Sequence, residues 1–126
     1  LYFKTKKLKF AGANRPLWII RANELIIYAA NKFPVGGMQI LHEENFQSHE
    51  IQMEENDVFY IFSDGYADQF GGAGGKKFMT KKLKEILLSI QSLTMKEQHA
   101  HLSNEFNKWK GRQEQVDDVL VIGVKV

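Results

Sequence analysis

The stretch DVFYIFSDG, residues 57–65, organises the reading of the whole chain. Val58 to Phe62 is an unbroken apolar run of β-branched and aromatic side chains. So short and so apolar a run fits a strand buried on both faces better than a surface helix. It stops at Ser63-Asp64-Gly65, and Asp68 follows shortly after. A carboxylate at the end of a buried strand rests on a rigid backbone. A glycine behind it lets the chain turn away and leave the oxygens open. Asp-Gly is also a common turn dipeptide, and alone it says only that a strand ends there. A second carboxylate pair, Asp117-Asp118, turns the position into a candidate site.

Working outward, 126 residues with 44% hydrophobic content suit one domain. That is enough for a real core, though small for a sheet covered on both sides. The 17 basic and 15 acidic residues leave a net charge of +2, too even to argue for a nucleic-acid partner. No cysteine occurs, which excludes disulfides and thiolate metal sites and accords with an expected cytoplasmic location. No apolar run approaches the roughly 20 residues of a membrane helix, so no membrane contact is expected from this segment. The chain begins inside a strand-like run, Leu1-Tyr2-Phe3, without a leader pattern. The expectation is therefore a piece cut from something longer.

In chain order, Leu1–Phe3 and Leu8–Ala11 flank a polar tetrapeptide and read as a hairpin. Strands are expected at Leu17–Ile20 and Leu25–Ala29, separated by a turn at Ala22-Asn23-Glu24, with a loop from Asn31 to Gly37. The alternating segment Phe46–Met53 reads as an edge strand, and Glu54-Glu55-Asn56 turns into the central one. Four glycines between Gly65 and Lys77 predict a long mobile loop, a substrate-facing flap beside Asp64. Two helices follow. Leu83, Ile86, Leu87 and Ile90 mark the buried face of the first. The second opens on the capping box Thr94-Met95-Lys96-Glu97, carries Met95, Leu102, Phe106 and Trp109 inward, and stops at Gly111. The helices should pack side by side on one face of the sheet. Val119–Val126 closes the chain as a strand.

Gly75-Lys76-Lys77 is not a phosphate loop, because Phe70 and Lys77 stand where glycine and Ser/Thr are required. Ser63 has no glycine elbow and no well-placed histidine for a serine triad. His42-Glu43 lacks the second histidine of a zinc helix, and His99 and His101 diverge on their helix. The carboxylates remain. If the two apolar strands are antiparallel neighbours, the end of one abuts the start of the other, and Asp64 meets Asp117 or Asp118. Carboxylates converging without histidine or cysteine make a hard oxygen site suited to Mg²⁺ or Mn²⁺. From spacing alone, Asp117-Asp118 as a mere loop end stands equally open.

SDGYAD at 63–68, the helices after it, VDDVLVIGV at 116–124, AGANRPLWIIR at 11–21 and FPVGG at 33–37 together resemble the SpoIIE-type branch of the metal-dependent protein serine/threonine phosphatases, bacterial relatives of protein phosphatase 2C. The resemblance implies an α+β fold of antiparallel β-sheets with two helices packed on one face, a partial α-β-β-α sandwich. It implies Mn²⁺ or Mg²⁺, two ions in the complete domain, bridged by the water that attacks a phosphoserine or phosphothreonine. No catalytic group beyond that water is implied. By its motifs Asp64 and Asp117 bind metal, Asp68 is an acidic position near the metals, and Gly65 and Asp118 support them.

The family's first metal-binding Asp and a later Asp-Gly pair precede the AGA-type strand, and this chain starts after them. Residues 1–126 are thus expected to be the C-terminal portion of a phosphatase domain with an incomplete metal site, inactive alone, with sensor or signalling segments upstream. The implied partner is a phosphoprotein substrate, for which a sigma-factor regulator is one candidate. A homodimer through an exposed sheet edge is also expected. A non-catalytic regulatory or protein-binding module of the same fold is the alternative. An unrelated small-molecule- or metal-binding β-protein is a third reading.

Overall fold

The computed structural model describes residues 1, 4–11, 15–29 and 49–126. The hairpin partner at Tyr2-Phe3, the loop from Asn31 to Gly37 and the first part of the alternating segment at Phe46 lie outside the described residues. The chain divides into two compact units, residues 1–61 with 124–126, and residues 62–123. The architecture is mixed α+β with antiparallel sheets and three helices, the expected class with one helix more than expected.

In the first unit, β1 (Lys7–Phe10) pairs antiparallel with β4 (His49–Gln52), so the alternating segment does form a strand. β2 (Leu17–Arg21) and β3 (Glu24–Tyr28) form a hairpin in which Trp18 faces Ile27. Its two-residue turn, Ala22-Asn23, has φ of 49° and 64°, the left-handed pair that matches the twist of the flanking strands. β5 (Val58–Phe62) pairs antiparallel with β2, Trp18 opposite Tyr60. The larger sheet has the strand order β3-β2-β5-β8, where β8 is Val121–Lys125.

One face of β2 and β5 gives Leu17, Ile19 and Phe59 to a cluster with Leu8 of β1, Ile51 of β4 and Met53. Trp18, Ile20, Val58 and Tyr60, which alternate with them, are buried as well. Burial of both faces explains why these strands are continuous apolar runs. Ile61 departs from the pattern at 37% exposure. The turn into β5 is closed by Asp57. Arg21 Nε donates to both its carboxylate oxygens at 3.1 Å, and Arg21 Nη2 donates to Oδ2 at 2.7 Å. The Glu54 amide donates to the same Oδ2 at 2.8 Å. Bonding to Asp57 outweighs the effect of burial and holds the Arg21 guanidinium above its ordinary pKa.

In the second unit the glycine-rich segment forms regular elements, which corrects the expectation of one long loop. Gly65–Asp68 is a short helix, α1, and β6 (Phe70–Gly71) pairs with β7 (Lys76–Lys77) as a hairpin. Trp109 explains the glycines. A β-carbon at Gly71 would overlap the Trp109 carbonyl, and one at Gly72 would stand 2.6 Å from its ring. The Gly72 amide donates to the same carbonyl at 2.9 Å. α2 (Thr80–Ser89) buries Leu83 and Leu87, followed by Ile90. α3 (Met95–Lys110) has the expected capping box, and Gly111 ends it at φ 54°. Its buried line is Gln98, Leu102 and Phe106, with Trp109 only half-buried. Tyr66 joins these elements. Its ring meets Phe78 and Phe106 at 5.2 and 5.1 Å, and its hydroxyl donates to the Leu102 carbonyl at 2.7 Å. Burial, with Glu105 adding to it, pushes its pKa up.

Candidate metal centre

β5 and the chain's last residues run antiparallel. At one end the Val126 amide donates to the Asp57 carbonyl (2.8 Å), and at the other the Ser63 amide donates to the Leu120 carbonyl (2.9 Å). This is the expected pairing of the central strand with the closing one, although β8 begins only at Val121. It places the residues after β5 beside those before β8, so the carboxylate-bearing segments meet at one end of the strands.

Asp64 follows β5 and stands at the N-cap of α1 in helical conformation, without capping the helix through its side chain. Its side chain is exposed. Gly65 lies against the Asp118 backbone so closely that a β-carbon there would overlap the Asp118 carbonyl oxygen. Ser63 joins the same two segments. Its hydroxyl donates to the Asp118 carbonyl and accepts from the Leu120 amide, both at 3.0 Å. Asp117 and Asp118 are exposed. The Asp117 carboxylate accepts the Asp118 amide at 2.7 Å, and its carbonyl accepts Gln115 Nε2 at 3.0 Å. Asp68 lies one turn further along α1, with Lys77 Nζ 3.9 Å from its Oδ1. That ion pair leans Asp68 towards the β6–β7 hairpin.

The structure thus brings Gly65, the residue after Asp64, against the Asp118 backbone, with Asp117 next in chain, and holds Asp68 in an ion pair of its own. Exposed carboxylate oxygens are the donors that Mn²⁺ and Mg²⁺ take, so the chemistry of the set fits a hard cation. Among the described residues, no group of three or more His, Cys, Asp or Glu is placed to hold a metal ion.

Two residues that matter here were not singled out from sequence. From sequence, Ser63 reads only as a nucleophile without triad partners. Gln69 is fully buried, and its Nε2 donates to the Glu114 carbonyl at 2.9 Å. No local pattern marks a glutamine as buried. No helix among the described residues is long and apolar enough to cross a membrane.

Residues 2–126 match the sequence profile of the family Stage II sporulation protein E (SpoIIE). Comparison with curated proteins finds no match. Among solved structures, the SiaA-PP2C domain of Pseudomonas aeruginosa is similar with a TM-score of 0.83 at 21% identity, over 96% of this chain and 46% of that one. The PP2C phosphatase domain of the cell fate determinant SpoIIE from Bacillus subtilis, with a fragment of its regulatory domain, gives 0.68 at 20%, over 97% of this chain and 34% of that one. The SpoIIE phosphatase domain described as Mn presoaked gives 0.65 at 18%, over 100% of this chain and 53% of that one. The chain thus spans about half or less of the structures it resembles, and at these identities the likeness is one of fold. With the profile match running over nearly its whole length, the chain belongs to the family Stage II sporulation protein E (SpoIIE).

Proposed function

We propose that this chain is a segment of a metal-dependent protein serine/threonine phosphatase that hydrolyses phosphoserine or phosphothreonine on a signalling phosphoprotein, a sigma-factor regulator being one candidate substrate. The observation that carries the reading is the close approach of Gly65 to Asp118, which joins the Asp64 turn to the Asp117-Asp118 segment in a SpoIIE-family chain. Asp64 and Asp117 would hold Mn²⁺ or Mg²⁺, with Asp68 nearby and Gly65 and Asp118 shaping the backbone between them. Such an ion supplies polarisation of phosphoryl oxygens and a lowered pKa for bound water. The chain's own part is to hold two anionic side chains at the surface on a rigid strand end, where negative charge attracts the cation.

The test is hydrolysis of a phosphoserine peptide with excess Mn²⁺ by the protein that carries this segment. Turnover should fall at least about 100-fold in Asp64→Asn and in Asp117→Asn, and the 126-residue chain alone should be inactive. Full activity in either variant would refute the ligand assignment. The second reading is a non-catalytic protein-binding module of the same fold. An inactive parent protein with intact carboxylates would favour it.

A further inference from the structure

The acidic segment between α3 and β8 has little burial of its own, since residues 111–118 are all exposed. Side chains from outside reach it. Ser63 Oγ holds the Asp118 carbonyl and the Leu120 amide, and Gln69 Nε2 holds the Glu114 carbonyl. These two residues bracket Asp64–Asp68, one on each side of α1 and its preceding turn. The tether on the Gln69 side is itself clamped. The Gln69 carbonyl accepts the Phe78 amide and Trp109 Nε1, both at 2.9 Å, and its Nε2 also donates to the Phe70 carbonyl at 3.0 Å. Its Oε1 is buried without a hydrogen-bond partner among the described residues. Burying an amide oxygen unsatisfied is costly, so the side chain is held here for its donor end.

We propose that Ser63 and Gln69 are positioning residues that set the separation of Asp64 from Asp117. Neither touches the metal or the substrate in this reading. Each is a fixed arm from the Asp64 side to the backbone of the Asp117 side, one before the carboxylate pair and one after it. The inference rests on Asp64 and Asp117 being the metal ligands. Partners that orient metal ligands typically change affinity 10- to 100-fold when removed.

The experiment uses the protein that carries this segment with Mn²⁺ alone as probe, read by amide hydrogen exchange and by paramagnetic broadening of Asp64 and Asp117 resonances. In Ser63→Ala and in Gln69→Met, exchange at residues 114–120 should quicken while α2 and the middle of α3 keep wild-type protection. The Mn²⁺ titration midpoint should rise about 10-fold in each, and Ser63→Thr, which retains the hydroxyl, should restore both. Wild-type exchange at 114–120 in both variants overturns the inference. Faster exchange with an unshifted midpoint also overturns it, because the arms would then hold a loop without placing a ligand. If Asp64→Asn and Asp117→Asn leave the broadening unchanged, the ligand assignment itself fails and the positioning role fails with it. Loss of broadening in those two alone, with no shift in the Ser63 and Gln69 variants, leaves the assignment intact and rejects the positioning role.

Discussion

Gly65 packs directly on the backbone of Asp118: a β-carbon at position 65 would lie 2.8 Å from the Asp118 carbonyl carbon and 3.2 Å from Val119 Cγ2. The obstacle at 65 is another backbone, which cannot swing aside like a flexible side chain. Gly65→Ala must therefore push the Asp64 turn away from the Asp117-Asp118 segment. We expect a loss of about 1–3 kcal/mol, the usual cost of overpacking, seen as a lower urea midpoint. An unchanged midpoint would show that the two segments are further apart than described.

Asp57 should be among the most sensitive polar positions in the first unit. It is 1% exposed and receives two nitrogens of Arg21 and the Glu54 amide. Asp57→Ala leaves these donors without their acceptor. Breaking a buried pair costs about 3–5 kcal/mol, and the Arg21 side chain, 31% exposed, can turn to water, so about 3 kcal/mol is expected by urea denaturation. Arg21→Lys should recover only part of the interaction, since an ammonium cannot present the forked donors of a guanidinium.

Trp109 is less buried than its place on the helical stripe implies. Its Nε1 donates to the Gln69 carbonyl at 2.9 Å, Phe78 meets it edge-on at 5.5 Å, and Lys82 Nζ sits 3.7 Å from its ring centroid. Full burial would put Trp109→Ala at about 3–5 kcal/mol. Half-burial with one lost hydrogen bond brings the expectation to about 2–3 kcal/mol. Lys82→Gln should cost about 0.5–1 kcal/mol through the lost cation–π contact. Equal losses in the two variants would show that the ring contributes little beyond that contact.

The α3 cap predicts an acid-sensitive step. Glu97 accepts the Thr94 backbone amide at 3.0 Å, and this bond, with the Thr94 hydroxyl adding to it, holds its carboxyl below the ordinary value. A depressed folded-state pKa gives stability that is present above the unfolded value, near 4.5, and is lost as pH falls through the folded one. Glu97→Gln keeps an acceptor for the amide but does not titrate. Its thermal midpoint should fall less than that of wild type between about pH 6 and pH 3. Parallel acid profiles would exclude Glu97 as a source of the dependence.

Elements built from near neighbours were legible in the sequence. The apolar run of β5, the turn at Ala22-Asn23, the Thr94–Glu97 capping box and the stop at Gly111 each depend on residues within a few positions of one another. The pairing of β5 with the closing strand was legible as well, because both are continuous apolar runs flanked by carboxylates. The glycine-rich segment was misread for an instructive reason. Glycine permits mobility, but it also permits close approach, and only the arrival of Trp109 at Gly71 and Gly72 decides between them.

What the sequence by itself determined is therefore the longer strands and the two long helices, the capping of α3, and the candidate ligands Asp64 and Asp117 near two strand ends; α1 and the β6–β7 hairpin were not among them. Tertiary structure alone decided that Gln69 is buried and reaches Glu114, 45 residues away. It decided that Asp57 pairs with Arg21 across 36 residues, and that Ser63 serves as a bridge between two backbones. The physical reason is range. Hydrophobic period, propensity and capping act within a turn or two and leave a pattern along the chain. A polar side chain's partner is set by which distant backbone the fold brings to it, and that leaves no mark on its sequence neighbours.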